Sequence, residues 1–310
     1  MDIRLKRELL LPALTRGAAV VERRQTLPIL GNLLLRVGQE DLAVVSTDLE
    51  LEVRGACEAE VAEGGEVTVP ARKLLDIVRN LPEGSDLRLV VSGDRCTVTA
   101  GRGRYTLGTL PASNFPLMQT DVEGLSIEVE EALLRRLLEK TWFAMAQQDV
   151  RYYLNGLLLE FDSGGMRAVA TDGHRLSRFD LTCDLGVATG DERQGVIVPY
   201  KTVMELRRQL GGGVGRIRIM VGEKTIRFDS GLFVTISKLI DGRFPDYDRV
   251  ISGRYSRIAV VDREGLRAAL VRTSVLSNDK YKGVRMEFEP ETLRLQAHNP
   301  EQEEAVEEID

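Results

Sequence analysis

The chain has 310 residues, 43% of them hydrophobic, with a formal net charge of −6. That size and apolar content fit two or three folded domains with real cores. They exclude a membrane-spanning chain, since no apolar run approaches the length of a span, and the acidic balance argues against a tight nonspecific nucleic-acid binder.

The N-terminus carries Arg4, Lys6 and Arg7 on an amphipathic pattern and no secretory core. Leu5, Leu9, Leu10 and Leu14 recur at helical spacing and predict an opening helix. Strands are predicted over 32–37 and 41–46, rich in Val and Leu and separated by a Gly-Gln turn. Pro70 suits a helix start, because its missing N–H costs nothing there, and a helix is predicted over 71–81 with Leu74, Val78 and Leu81 on one face. Strands over 87–91, 95–100 and 105–110 follow.

The same order then returns. Leu133, Leu134, Leu137, Leu138 and Trp142 predict a helix; strands follow over 156–161 and 166–170. Pro199 opens a helix over 200–210, and strands close the copy over 217–221, 225–229 and 233–237. Four landmarks keep their order: Asn32 and Asn155, Thr47 and Thr171, Pro70 and Pro199, Pro116 and Pro245, at offsets of 123, 124, 129 and 129 residues. A period that long is a duplicated domain. A third copy begins near Val260, where Leu266, Leu270 and Leu276 continue the helical theme and Gly283 matches Gly156. Each copy reads as an α+β module of two helices and several short strands. Boundaries are expected at 1–123, 124–252 and 253–310, with joints near Glu123 and Gly253.

Charge is uneven. The helix over 71–81 carries Arg72, Lys73 and Arg79 against Asp76; the helix over 200–210 carries Lys201, Arg207 and Arg208 against Glu205. One such helix reads as a solvated face, but equivalent helices in equivalent copies can aim their charge at one polyanion. The last ten residues hold Glu301, Glu303, Glu304, Glu307, Glu308 and Asp310. They read either as a disordered acidic end or as a partner for the basic run Arg102, Arg104 on another subunit, a head-to-tail contact that can close a ring.

Chemistry is sparse. Cys57, Cys96 and Cys183 are odd in number and lack a Cys-x-x-Cys, so they read as reduced structural thiols in a cytosolic protein. His174 and His298 are the only histidines, too few for a His-based metal cluster, and no cofactor is implied. There is no phosphate loop. Asp172-Gly173-His174-Arg175 could hold a general base, yet no nucleophile is linked to it by spacing. Its frame returns in the first copy as Thr47-Asp48, which makes the frame structural and favours a structural or peptide-binding role over catalysis.

Several longer runs carry a resemblance. Residues 26–35 (Thr-Leu-Pro-Ile-Leu-Gly-Asn-Leu-Leu-Leu), 148–156 (Gln-Asp-Val-Arg-Tyr-Tyr-Leu-Asn-Gly), 170–176 (Ala-Thr-Asp-Gly-His-Arg-Leu), 241–247 (Asp-Gly-Arg-Phe-Pro-Asp-Tyr) and 299–304 (Asn-Pro-Glu-Gln-Glu-Glu) are similar to the bacterial sliding clamps, the beta subunits of DNA polymerase III. The resemblance implies a DNA-clamp fold of repeated domains, each with two helices packed on antiparallel sheets. It also implies a head-to-tail homodimeric ring in the cytoplasm. That ring has no catalytic activity. It encircles duplex DNA without regard to sequence and tethers DNA polymerase III and other polymerases as a processivity factor.

It further implies site residues. Contact with DNA falls to Arg24, Gln148, Tyr152 and Tyr153, with Arg72, Lys73, Lys201 and Arg208 adding channel charge. A peptide pocket at the joint of the second and third domains falls to Leu154, Thr171, Gly173, His174, Arg175, Leu176, Pro245, Arg249 and Val250. Linear motifs of polymerases, the clamp loader and repair proteins would anchor there by a few apolar side chains. The subunit joint falls to Arg102, Arg104, Tyr105 and Leu107 facing Val275, Leu276, Glu301, Glu303 and Glu304.

The third copy holds about 60 of the roughly 125 residues that the repeat period allots. A shortened third domain is therefore expected, with weaker dimerisation and weaker peptide binding. Two other readings compete with the clamp: an enzyme acting through His174 and Asp172, and a paralogue or interaction scaffold that no longer closes around DNA.

Overall fold

The computed structural model describes residues 1–22, 27–119, 123–183, 185, 194–211, 215–251 and 256–310. Copy one runs β1 (Asp2–Lys6), α1 (Arg7–Val20), β2 (Asn32–Val37), β3 (Asp41–Thr47), β4 (Leu51–Glu58), β5 (Glu60–Glu63), β6 (Gly65–Pro70), α2 (Ala71–Arg79), β7 (Asp86–Ser92), β8 (Arg95–Ala100) and β9 (Gly103–Gly108). Copy two runs β10 (Leu125–Glu130), α3 (Glu131–Thr141), β11 (Gly156–Asp162), β12 (Gly165–Thr171), β13 (Leu176–Thr182), β14 (Gln194–Pro199), α4 (Tyr200–Gln209), β15 (Arg216–Val221), β16 (Thr225–Asp229) and β17 (Phe233–Lys238). A last set comprises α5 (Arg263–Thr273), β18 (Arg285–Glu289), β19 (Thr292–His298) and β20 (Glu304–Ile309).

The first two copies do not open with a helix, as the leucine spacing predicts, but with a strand that runs directly into one. Leu5 lies in β1, where Ile3 and Leu5 point inward and Arg4 and Lys6 outward. That alternation is the two-residue period of a strand. Its pairing with β7 sets Ile3 opposite Leu89 and Leu5 opposite Leu87. β10 does the same against β15, with Ile127 opposite Ile219.

The core of each of the first two copies is shared by two helices and two sheets. In copy one, Leu10, Leu14, Leu74 and Val78 from the helices meet Leu33, Leu35, Leu42 and Val44 on one side and Leu87, Leu89 and Val98 on the other. In copy two, Leu134, Leu137, Val203 and Leu206 meet Leu157, Leu159 and Ala168, and Ile217, Ile219 and Phe228. Two packed layers around one apolar interior is the ordinary solution for α+β modules.

One sheet crosses from copy to copy. Its order is β10-β15-β16-β17-β4-β3-β2-β6, so the last strand of copy two is hydrogen-bonded to β4, the third strand after the helix of copy one. Phe233 pairs with Gly55, Thr235 with Val53 and Ser237 with Leu51. Copy one's other sheet, β5-β1-β7-β8-β9, ends on β9.

The chain divides into two compact units, residues 1–244 and 245–310. The shared sheet makes the first two copies one unit. Gly253, the expected second joint, lies outside the described residues. In the second unit Ala269 of α5 packs on Leu293 and Leu295 of β19, and Asp262 caps α5 by accepting the Gly265 amide at 2.6 Å. The acidic C-terminus is not a disordered end. Residues 304–309 form β20, with Glu307 paired to Arg272 at 2.7 Å and Glu308 to Arg294 at 2.9 Å.

Candidate functional site

The hairpin between β12 and β13 is built by its own side chains. Thr171 Oγ1 accepts the Gly173 amide at 3.0 Å and donates to the Arg175 carbonyl at 2.7 Å. Asp172 Oδ1 accepts the amides of His174 and Arg175 at 2.9 and 3.0 Å, and its Oδ2 accepts Arg175 Nε at 2.9 Å. Burial pushes the Asp172 carboxyl upward, but these amide and guanidinium bonds outweigh it and hold it below the usual range. Gly173 takes φ +88°, a left-handed conformation natural to glycine.

This is the arrangement of a turn, not of a catalytic base. Copy one repeats it. Thr47 Oγ1 accepts the Leu49 amide at 3.0 Å, and Asp48 Oδ1 accepts Glu50 and Leu51 at 2.9 and 2.7 Å. Leu49 holds the Gly173 position at φ +78°. Both carboxylates are occupied in making a hairpin, which removes the Asp172–His174 enzyme reading.

The turn brings Gly173, His174 and Arg175 together as exposed residues, with Leu176 half-buried and Thr171 buried beneath. Leu154 is 2% exposed and belongs to the interior. Pro245, Arg249 and Val250 lie in the second unit, where Arg249 pairs with Asp246 at 2.7 Å and Val250 is 69% exposed.

Beside the turn runs the loop over 147–151. Gln148 sits at φ +57°, and Val150 at the tip is 95% exposed. Tyr152, exposed, stacks edge-to-face on Tyr153 at 5.8 Å. Asn155 clamps the loop, accepting the Asp149 amide and donating to its carbonyl, both at 2.9 Å. Arg151 grips Asp149 through Nε and Nη2 at 3.0 and 2.9 Å and also donates to the Asp172 carbonyl at 3.2 Å. The Arg151 side chain, with help from its own amide, holds the Asp149 carboxyl down to about 2. Asp149 and Arg151 receive no role from sequence reasoning. Their two-residue separation is the only sequence signal, and a pair so close in a loop does not reveal the third partner, 21 residues on.

The predicted channel charges separate into two classes. Lys73 is exposed, and Arg72 is exposed while donating to the Val21 carbonyl at 3.0 Å. Lys201 is committed elsewhere. Its ammonium contacts Asp48 and bonds Glu22 and the Val20 carbonyl, both at 3.2 Å. Arg208 pairs with the buried Glu205 at 2.7 Å. Two of the four charges, Lys201 and Arg208, are therefore paired with carboxylates of the protein itself. Arg207 adds nothing free either, as it stacks over Trp142 at 3.8 Å. Arg24 lies outside the described residues.

Of the predicted joint residues, Arg102, Arg104 and Tyr105 are exposed on or beside β9, while the Leu107 side chain is 7% exposed and part of the first core. Leu107 can offer an interface only its backbone. Val275, Glu301, Glu303 and Glu304 are exposed and Leu276 is half-buried. Glu303 accepts Asn299 Nδ2 at 2.6 Å.

Among the described residues no group of His, Cys, Asp and Glu side chains could hold a metal ion, and no helix is long and apolar enough to cross a membrane. Burial pushes the Cys57 and Cys96 thiols up to about 11, so neither is a nucleophile at neutral pH. A hollow of about 1090 Å³ opens in copy one between charged residues such as Arg4, Glu58 and Arg88, and no predicted site residue lines it.

Comparison with known proteins agrees along the whole chain. Residues 1–119 match the N-terminal domain of the DNA polymerase III beta subunit, 128–246 its central domain and 248–310 its C-terminal domain. The chain is 48% identical to the beta sliding clamp of Pseudomonas putida and 43% identical to that of Escherichia coli, matching over its whole length and covering 84% of each. A crystal structure of the Pseudomonas aeruginosa clamp bound to griselimycin superposes with a TM-score of 0.96 at 47% identity, covering 100% of this chain and 84% of that one. The Caulobacter crescentus clamp superposes at 0.94 and 40% identity, covering 100% of this chain and 83% of its own. The chain belongs to the DNA polymerase III beta subunit family, the beta sliding clamps.

Proposed function

We propose that the chain closes a head-to-tail ring by pairing β9 of one protomer with β20 of the next. As a sliding clamp the protein is a non-catalytic processivity factor of DNA replication. It holds the replicative polymerase on duplex DNA by topology, so its phosphate contacts stay weak, nonspecific and salt-dependent.

The observation that carries the ring is the seam between copies one and two. There β17, the closing strand of copy two, pairs with β4, the third strand after the helix of copy one. β9 is the closing strand of copy one, and β20 is the third strand after α5. Each is hydrogen-bonded on one side only among the described residues. An unpaired strand edge is a template for another chain. Arg104 on β9 and Glu304 on β20 supply opposite charges that favour this register. The contact is heterologous, and it closes when the rotation per subunit divides a full turn.

On this reading Arg24, Arg72, Lys73, Gln148, Tyr152 and Tyr153 face DNA, and Lys201 and Arg208 contribute to the fold rather than to binding. The hairpin Thr171–Leu176 receives short apolar motifs of polymerases and the clamp loader, and Leu154, buried, lies in the interior rather than at the surface that a motif meets. Pro245, Arg249 and Val250 are assigned to peptide contact on the resemblance alone. The cytoplasm, where replication takes place, is the proposed location.

Light scattering across a concentration series, followed by retention on DNA, tests the ring. A dimer mass is expected, with protein kept on closed-circular duplex and lost from linear duplex. A monomer at every concentration, or equal retention on both, would sink it.

A further inference from the structure

We propose that Arg151 is a positioning residue that ties the loop 147–151 to the hairpin 171–176, so that a ligand on one side alters the geometry of the other. The proposal rests on the assignment of the loop to DNA and the hairpin to peptide motifs.

The tie has three parts. The guanidinium grips the Asp149 carboxylate with two bonds at 3.0 and 2.9 Å. The same Nη2 donates to the Asp172 carbonyl at 3.2 Å, at the head of the turn. The group also lies flat against Gly173, where an added Cβ would come within 2.9 Å of Nη1 and 3.0 Å of Nη2. Nothing larger than glycine fits between the guanidinium and the turn without displacing one of them.

The loop end of the tie is itself held. Asn155 bonds both the amide and the carbonyl of Asp149, and the Arg151 amide donates to Asp149 Oδ1 at 2.8 Å. Movement of Gln148 or Tyr152 towards a phosphate therefore shifts a clamped segment whose only fork reaches the turn. An arginine is suited to the task, because its planar fork serves two acceptors in fixed geometry while a lysine offers a single point charge. By linkage, whatever duplex DNA does to the turn, a turn ligand does to DNA affinity.

Among the described residues copy one shows no such tie. At its equivalent hairpin the outer oxygen of Asp48 is held by Lys201 of copy two, and Leu49 replaces the glycine. Among the described residues the strap is seen at the second hairpin alone.

The test is amide NMR of the whole chain, comparing the native protein with Arg151→Gln, Arg151→Lys and Asp149→Asn. Arg151 is exposed, so its replacement leaves the cores intact. Exchange of the Gly173, His174 and Arg175 amides is expected to rise about tenfold in all three variants, the effect of losing a charged hydrogen bond. Unchanged exchange in Arg151→Gln overturns the positioning role.

A 20-base-pair duplex is then added. In the native protein the amides of both Gln148 and Gly173 are expected to shift; in Arg151→Gln only Gln148 moves. A Gly173 shift that survives in Arg151→Gln overturns the coupling. A duplex that moves neither residue in the native protein refutes both the DNA assignment and the coupling, while the exchange comparison still decides the positioning role.

Discussion

The ring of Phe233 stands where a side chain on Gly55 would be: a Cβ built on Gly55 would lie 2.6 Å from Phe233 Cε1 and 3.3 Å from the Cβ of Ala13. Phe233 comes from copy two, yet it is buried in the core of copy one, with the Arg16 guanidinium 3.6 Å from its ring centroid. The backbone pairing of β17 with β4 is thus pinned by one aromatic side chain that only a glycine admits. Gly55→Ala is expected to destabilise the first unit by about 1–3 kcal/mol through overpacking. Phe233→Ala should cost about 3–5 kcal/mol by leaving a cavity. Urea unfolding of each variant checks both values.

Lys201 and Lys73 occupy basic helices in equivalent copies but should answer differently to replacement. Lys201→Ala strips a cation from Asp48, whose side chain is 8% exposed. A loss of about 1–3 kcal/mol in stability is expected for the unsatisfied acceptor, with no change in the salt dependence of DNA binding. Lys73→Ala should leave stability unaltered and reduce the slope of log affinity against log salt by roughly 0.9, one phosphate contact. Melting curves and salt titrations of the two variants separate these outcomes.

The turn strain differs between copies. Leu49 holds φ +78° with a full side chain, and Gly173 holds φ +88° with none. Leu49→Gly removes a steric cost of about 1–2 kcal/mol and adds an entropic one of about 0.5–1 kcal/mol, so a net stabilisation of up to ~1 kcal/mol is expected. Gly173→Ala should destabilise the hairpin and displace Arg151. Paired denaturation midpoints would show the opposite signs.

Acid should release the strap late. Asp149 titrates near 2 when folded against 3.8 as the free side chain, because Arg151 bonds its charged form. A depressed carboxylate stabilises the folded loop above about 4, and that contribution fades as pH falls from about 4 towards 2. Gly173 amide exchange, corrected for its intrinsic pH dependence, is expected to stay protected at pH 5 and to lose protection below pH 3. Loss at pH 5 would contradict the assignment.

The duplication was legible because its landmarks are residues with backbone duties. Pro70 and Pro199 close β6 and β14 and lead into α2 and α4; Thr47 and Thr171 anchor the two hairpins. The opening strands were not legible, because β1 and β10 pass into helices without a turn residue and Leu5 happens to fall in helical phase with Leu9. Nor could the chain reveal which cations are free. Lys201 finds Asp48 across 153 residues, and only the seam brings them together. The dual bonding of Arg151 is hidden for the same reason: the local half of the strap can be read from Asp149, while the half that gives it meaning lies on another hairpin.

The seam between copies is carried by main-chain pairing, five residues against five, with Phe233 seated over Gly55 and Lys201 paired to Asp48 across it. Exchange of parts between species follows from this. A central segment taken from a distant relative needs a strand at β17, an aromatic at its first position and a cation to meet Asp48 in order to seat on this N-terminal segment at the same angle. Chimeric proteins assembled at that boundary should keep their curvature even where their exposed surfaces have little sequence in common.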